Sequence, residues 1–224
     1  MRKILLIEDV LIRQRDFMRE RSFTLEEYSS ILENAIGDKY KKIALELKND
    51  TFNFDEYSMI MVHQSAFEDD VAILIDRIKK YCEKHKKALV LFSGGSSSYY
   101  NNTQYESLEL NTKNFYSDNL KLFLDAYKNN NENILMLGYG NKWIISVLLN
   151  VLEKTNLFLE QNSGNDEGYI VYGEFENFTE INKIENVKYD FYEVAIEDDW
   201  VHKEELVKLR DSILECIEEM SLLV

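Results

Sequence analysis

Proline is absent from the 224 residues, and glycine occurs only eight times. No Pro/Gly linker therefore marks a boundary, and a single composite domain is expected. The missing proline, beside abundant Lys, Asn, Ile and Glu, reads as a mark of genome base composition rather than of mechanism. Cysteine is scarce too. Cys82 and Cys216 lie far apart, each inside a helical pattern, so no disulfide framework or metal-ligand spacing exists. Long hydrophobic runs are missing at the start, where Ile4–Ile7 gives way at once to Glu8-Asp9. Four apolar residues are too few for a signal peptide or a membrane span, so a reducing cytoplasm is the expected compartment, with no membrane partner. Positive charge is also short: 26 basic residues face 41 acidic ones, for a formal charge of −15. Such a chain repels phosphate backbones, and nucleic acid is not an expected partner.

What the chain does have is core material, with 45% hydrophobic residues. Four short apolar runs, Ile4–Ile7, Met59–Val62, Ala88–Phe92 and Ile134–Leu137, suit strands buried on both faces of a parallel sheet. Helical patterns lie between them at Val10–Glu20, Phe67–Lys84, Ser117–Tyr127 and Lys142–Leu152. A capping box at Thr24–Glu27 predicts a helix that ends at Gly37, and Lys42–Leu47 reads as strand or helix. Residues 96–113, rich in Ser, Asn and Tyr, read as a loop or insertion. After Thr155 come a turn-rich break at Asn162–Gly168, strands at Tyr169–Tyr172 and Tyr189–Ala195, and an amphipathic helix at His202–Leu223. Together these predict an α/β, flavodoxin-like three-layer fold with a mostly parallel sheet over residues 1–155. Residues 156–224 form a C-terminal α+β extension of two strands and a long helix, packed on that core.

Ligands of parallel sheets gather at the carboxyl ends of the strands. There the expected site residues are Glu8 and Asp9, His63 and Ser65, Ser93, Gly94 and Gly95, then Gly138, Gly140 and Lys142. Each has a plainer reading. Glu8-Asp9 can be a solvated strand end, His63 a hydrogen-bonded structural histidine, and Ser93-Gly-Gly95 a bare turn. Gly138-Tyr-Gly140 lacks the full glycine fingerprint of a phosphate loop.

The run Lys3-Ile-Leu-Leu-Ile-Glu-Asp9, with Arg13 and Phe17 after it, resembles the first strand and helix of a response-regulator receiver. Tyr57–His63 is similar to the third receiver strand, which in that family ends in the phosphate-accepting aspartate; here the position is His63. Leu89–Ser93 resembles the fourth strand with its terminal hydroxyl, and Lys142 is the nearest candidate for the lysine that follows the fifth. The resemblance implies a receiver scaffold without its acceptor and without one of its Mg²⁺ ligands. A second resemblance is narrower. Ser93-Gly-Gly95 and Leu137–Gly140 are similar to two loops of class I glutamine amidotransferases, but Gly138 stands where the nucleophilic cysteine belongs.

Both resemblances lose the residue that does the chemistry. The leading expectation is thus a pseudo-receiver: a non-catalytic, phosphorylation-independent module that binds a protein partner, with no cofactor and no metal. The resemblance places such a module in bacterial signalling or defence assemblies; the sequence leaves the oligomeric state open. Two alternatives remain: a small-ligand or nucleotide sensor, and an enzyme pairing His63 with Glu8 or Asp9 as acid and base.

Overall fold

The computed structural model describes residues 3–67, 70–95, 99–102, 104–161, 169–171, 196–197 and 200–222. They form two compact units, Met1–Asn141 and Lys142–Val224. The first is an α/β layer structure of the flavodoxin-like kind. Its strands are β1 (Lys3–Ile7), β2 (Leu32–Ala35), β3 (Tyr57–His63), β4 (Ala88–Ser93), β5 (Tyr99–Asn101) and β6 (Ser107–Asn111). Their order is β2-β1-β3-β4-β6-β5, parallel throughout except for the antiparallel β5–β6 pair at one edge. The five parallel strands thus reproduce the doubly wound order in which the chain reverses direction beside β1.

Alternation along the strands explains the two helical layers. Leu5, Ile7, Ile60, Val62, Leu89 and Leu91 face one side and pack with α3 (Val71–His85) and α2 (Asp38–Lys48). Phe92 faces the other side. Its ring stacks on Phe115 of α4 (Thr112–Phe115) at 3.9 Å and meets Tyr116 edge-on. Tyr116 in turn stacks on Phe17 of α1 (Leu11–Met18), which fixes α1 to that layer, and α5 (Asp118–Lys128) follows it in the chain. Cys82 is fully buried among the apolar side chains, and burial pushes its thiol up to about 12, so it behaves as an inert core residue.

Several expectations need correction. Ile134–Leu137 is not a strand: Leu135–Tyr139 forms the short helix α6, its first turn held by Asn133, whose side-chain oxygen accepts from Leu135 N–H at 3.1 Å. A four-residue apolar run carries no period that separates helix from strand, and this local cap decides it. The place beside β4 belongs to β6, inside the stretch read as an insertion; residues 96–98 and 103 of that stretch lie outside the described residues. The capping box at Thr24 and Glu27 forms, but it closes only a 3-10 turn at Leu25–Tyr28, and β2 follows instead of a longer helix. Lys42–Leu47 is helical, within α2, and Gly37 (φ +60°) precedes that helix rather than ending one.

The second unit contains α7 (Trp143–Gln161), a small antiparallel sheet of order β7-β9-β8 (Tyr169–Val171, Ile196–Glu197 and Trp200–His202 being β7, β8 and β9) and α8 (Lys203–Leu222). Leu206 with Val201, and Phe158 with Leu159, pack α8 and β9 against α7. The final helix thus runs as expected, and β7 matches the first of the two strands read from the sequence. The strand expected at Tyr189–Ala195 and the break at Asn162–Gly168 lie outside the described residues. One stretch, Leu135–Gln161, is long and apolar enough by composition to cross a membrane. It is not one continuous helix, because a 3-10 turn at Gly140–Lys142 interrupts it.

Gly140 makes that interruption possible. Its φ of +73° and ψ of −154° fall in a region essentially reserved for glycine, and an added Cβ would stand 2.9 Å from Asn119 Oδ1. Gly140→Ala is expected to cost about 1–2 kcal/mol, read as a lowered urea midpoint with an unchanged slope.

Candidate functional site

The parallel register brings the carboxyl ends of β1, β3, β4 and β6 to one edge of the sheet: Ile7 pairs with Val62, His63 with Phe92, and Ser93 with Asn111. Glu8, Asp9, His63, Ser93 and Asn111, with Thr112 and Lys113 at the start of α4, therefore share that edge. Gly94 follows, its carbonyl accepting from Asn111 Nδ2 at 2.8 Å, while Gly95 has open space where a side chain would be. Gly138 lies instead within α6 and Gly140 at its end, beside Asn119 of α5, and Lys142 ends the following turn. These three belong to no strand end. The lysine that follows the strand beside β4 is Lys113, which is exposed.

Glu8 is completely buried, and its carboxylate is met by Val10, Arg13, Tyr116 and Asp9. Arg13, one turn into α1, donates Nη2 to Glu8 Oε1 at 2.5 Å and also to Asp9 Oδ1, and Val10 N–H donates to the same Glu8 oxygen. Tyr116 O–H donates to Glu8 Oε2 at 3.0 Å, and Gln14 Nε2 lies 3.3 Å from that hydroxyl while exchanging two hydrogen bonds with Asn34. Burial pushes the Glu8 carboxyl above its ordinary value, and the guanidinium draws it partly back. Tyr116 is pushed well up, by burial first and then by the carboxylate beside it. Its hydroxyl stays a donor at any physiological pH.

His63, only 4% exposed, stands edge-on to Phe92. Its Nδ1 accepts from Ser65 N–H at 3.2 Å and lies 2.8 Å from Ser65 Oγ, so the ring proton is on Nε2, which is 3.5 Å from Thr112 Oγ1. Burial, and then the positive charge of Arg13, pull its pKa down to about 4, against a smaller upward pull from Asp9. At neutral pH the ring is uncharged. It is thus a poor general acid and a weak base, which disfavours the acid–base pairing with Glu8 or Asp9.

Glu8, Asp9 and His63 also bring potential ligand atoms to within 4.8 Å of one another. Two carboxylates and an imidazole suit Mn²⁺, Fe²⁺ or Zn²⁺ better than Mg²⁺. The guanidinium of Arg13 already bridges the two carboxylates, however, so a metal ion would have to displace it. Sequence reasoning noted Arg13 only as part of a helix pattern, although its i,i+4 spacing from Asp9 is a legible pairing signal. Tyr116 and Thr112 are not legible in the sequence, because nothing there announces that they meet Glu8 and His63 across 108 and 49 residues.

The first unit is thus an α/β domain of flavodoxin-like strand order with an acidic pair at its strand ends, Glu8 buried and Asp9 partly exposed, bridged by Arg13. Comparison with known proteins finds no matching family model, no matching curated protein and no matching solved structure.

Proposed function

We propose that the chain is a receiver-like regulatory module of the cytoplasm that does not use phosphotransfer and acts by binding a protein partner. The observation that carries this reading is Arg13. A receiver needs its acidic pair free to hold a divalent cation, whereas here a side chain of the protein supplies the cation, covalently tethered one helical turn away. His63, buried and neutral, takes the place of the acceptor and offers no carboxylate for an acyl phosphate. The receiver-like part of the reading draws on the strand order and on the acidic pair, Ser93 and Lys113 at one sheet edge. Two buried free thiols fit a reducing compartment.

Incubation with acetyl phosphate and Mg²⁺, followed by intact-mass measurement, tests the reading. The expected spectrum shows the unmodified chain alone. A phosphoryl adduct that disappears on substitution of Asp9 or His63 would overturn it.

A further inference from the structure

The exposed large apolar residues of the first unit are mostly single, such as Leu45, Ile73 and Tyr99. Val10, Leu11 and Ile12 are different: they are consecutive, and Leu11 and Ile12 are 61% and 58% exposed. On a helix with 100° between residues, Leu11, Arg15, Arg19 and Ile12 form one continuous outward arc, with exposed Asp16 at its edge. Gln14 and Phe17 point the other way, into the contacts with Asn34 and Tyr116.

Two arginines, Arg15 and Arg19, lie on the same arc, beside exposed Asp16 and Glu20, on a chain whose formal charge is −15. Arginines occupy positions 13, 15, 19 and 21. Arg13 is committed to Glu8 and Asp9, but among the described residues Arg15 and Arg19 have no ion-pair partner. We propose that this outer face of α1 docks an acidic amphipathic helix of a partner protein. Apolar residues on that helix would cover Leu11 and Ile12, and carboxylates one turn along would meet Arg15 and Arg19. The two guanidinium groups would steer such a partner and fix its register. Arg13 and Tyr116 hold the helix on its inner side, presenting the face without an ordering cost. With eight residues, α1 is about 12 Å long and matches two turns of a partner, which sets a modest affinity. A nucleic acid fits less well, since Leu11 and Ile12 would meet only phosphodiester and Asp16 would repel it.

This inference rests on the protein-binding reading above and names its surface. The test is an NMR titration of the ¹⁵N-labelled full chain with a helix-forming peptide carrying Leu at i, i+3 and i+4 spacing and Glu between. Its Lys-for-Glu counterpart and a single-stranded oligonucleotide serve as alternative probes. The acidic peptide should shift the amides of residues 10–19. Its binding should weaken roughly tenfold or more in Leu11→Ser/Ile12→Ser, in Arg15→Glu/Arg19→Glu, and on raising salt in the latter's wild-type parent. Unchanged thermal midpoints of these exposed-site variants would confirm that they fold. No shift with the acidic peptide, equal binding of the lysine peptide, or the same shifts caused by the oligonucleotide would each overturn the inference. A phosphoryl adduct in the mass experiment would overturn phosphorylation independence while leaving this surface standing, so the two failures are distinguishable.

Discussion

Replacing Arg13 with alanine should destabilise the first unit by about 3 kcal/mol near neutral pH. The loss follows from what remains. Glu8 is fully buried, and without the guanidinium its carboxylate keeps only the Val10 N–H and Tyr116 O–H as donors. One partner removed from a buried pair leaves the other charge uncompensated, which costs more than the pair itself contributed. The effect belongs near the lower end of the usual range because Arg13 is one-quarter exposed and water can reach part of its place. The pH dependence has a definite sign. The Glu8 carboxyl is already raised above its ordinary value of 4.5, and losing Arg13 removes the group that draws it down. A carboxyl raised in the folded state adds stability that is complete below its unfolded pKa and is lost as pH rises through its folded pKa. The variant should therefore recover part of its deficit on moving from about pH 7 to about pH 5. Adding Glu8→Gln to Arg13→Ala should restore much of the stability at neutral pH, because no buried charge is then left unpaired. Urea denaturation of the two single variants and the double variant measures all three statements. A pH-independent Arg13→Ala deficit with no rescue by Glu8→Gln would mean that Arg13 acts through packing alone.

The parts of this structure legible in the sequence are those whose signal is local. The runs at Ile4–Ile7, Met59–Val62 and Ala88–Phe92 are strands because both faces of the sheet are covered there, which leaves unbroken apolar sequence. β6 breaks that rule. Only Leu108 and Leu110 are buried, and Ser107, Glu109 and Asn111 between them stay partly exposed, with Glu109 accepting from Gln64 and lying 3.9 Å from Lys79. A strand of that composition, next to a polar edge hairpin, looks like loop. Misplacing it moved the last expected site residues to Gly138, Gly140 and Lys142. The first half of the site was legible for the opposite reason, since Glu8, Asp9 and His63 directly follow or end central strands. What closes the site comes from long-range packing: Tyr116 reaches Glu8 only because Phe92 and Phe17 hold its ring between sheet and α1.

His63 should dominate the acid limb of the stability curve. Its pKa falls from an ordinary 6.5 to about 4 on folding, because a charged imidazole would be buried against Phe92 and close to Arg13. A group with a depressed folded pKa contributes stability that is fully present above its unfolded pKa and disappears as pH falls through the folded one. Between about pH 6.5 and pH 4 the wild-type protein should therefore lose on the order of 3 kcal/mol through this residue. Glu8 works against that trend, since its raised carboxyl takes up a proton in the folded protein before it does so in the unfolded chain. His63→Asn removes the first effect and leaves the second. Its stability should be lower than wild type at neutral pH, where contacts to Phe92 and Ser65 are lost, yet nearly flat or gently rising toward pH 5 where the wild type declines. Denaturation curves collected across this window, together with an NMR titration following the His63 ring carbons, separate the contributions. The ring should remain neutral at pH 6 with its proton on Nε2, as the Ser65 N–H bond to Nδ1 requires. Parallel wild-type and His63→Asn curves, or an imidazole that titrates at its ordinary value, would show that the ring is not shielded from water. They would also return an ionisable acid–base group to the strand-end site, and with it the enzymatic reading that a neutral His63 argues against.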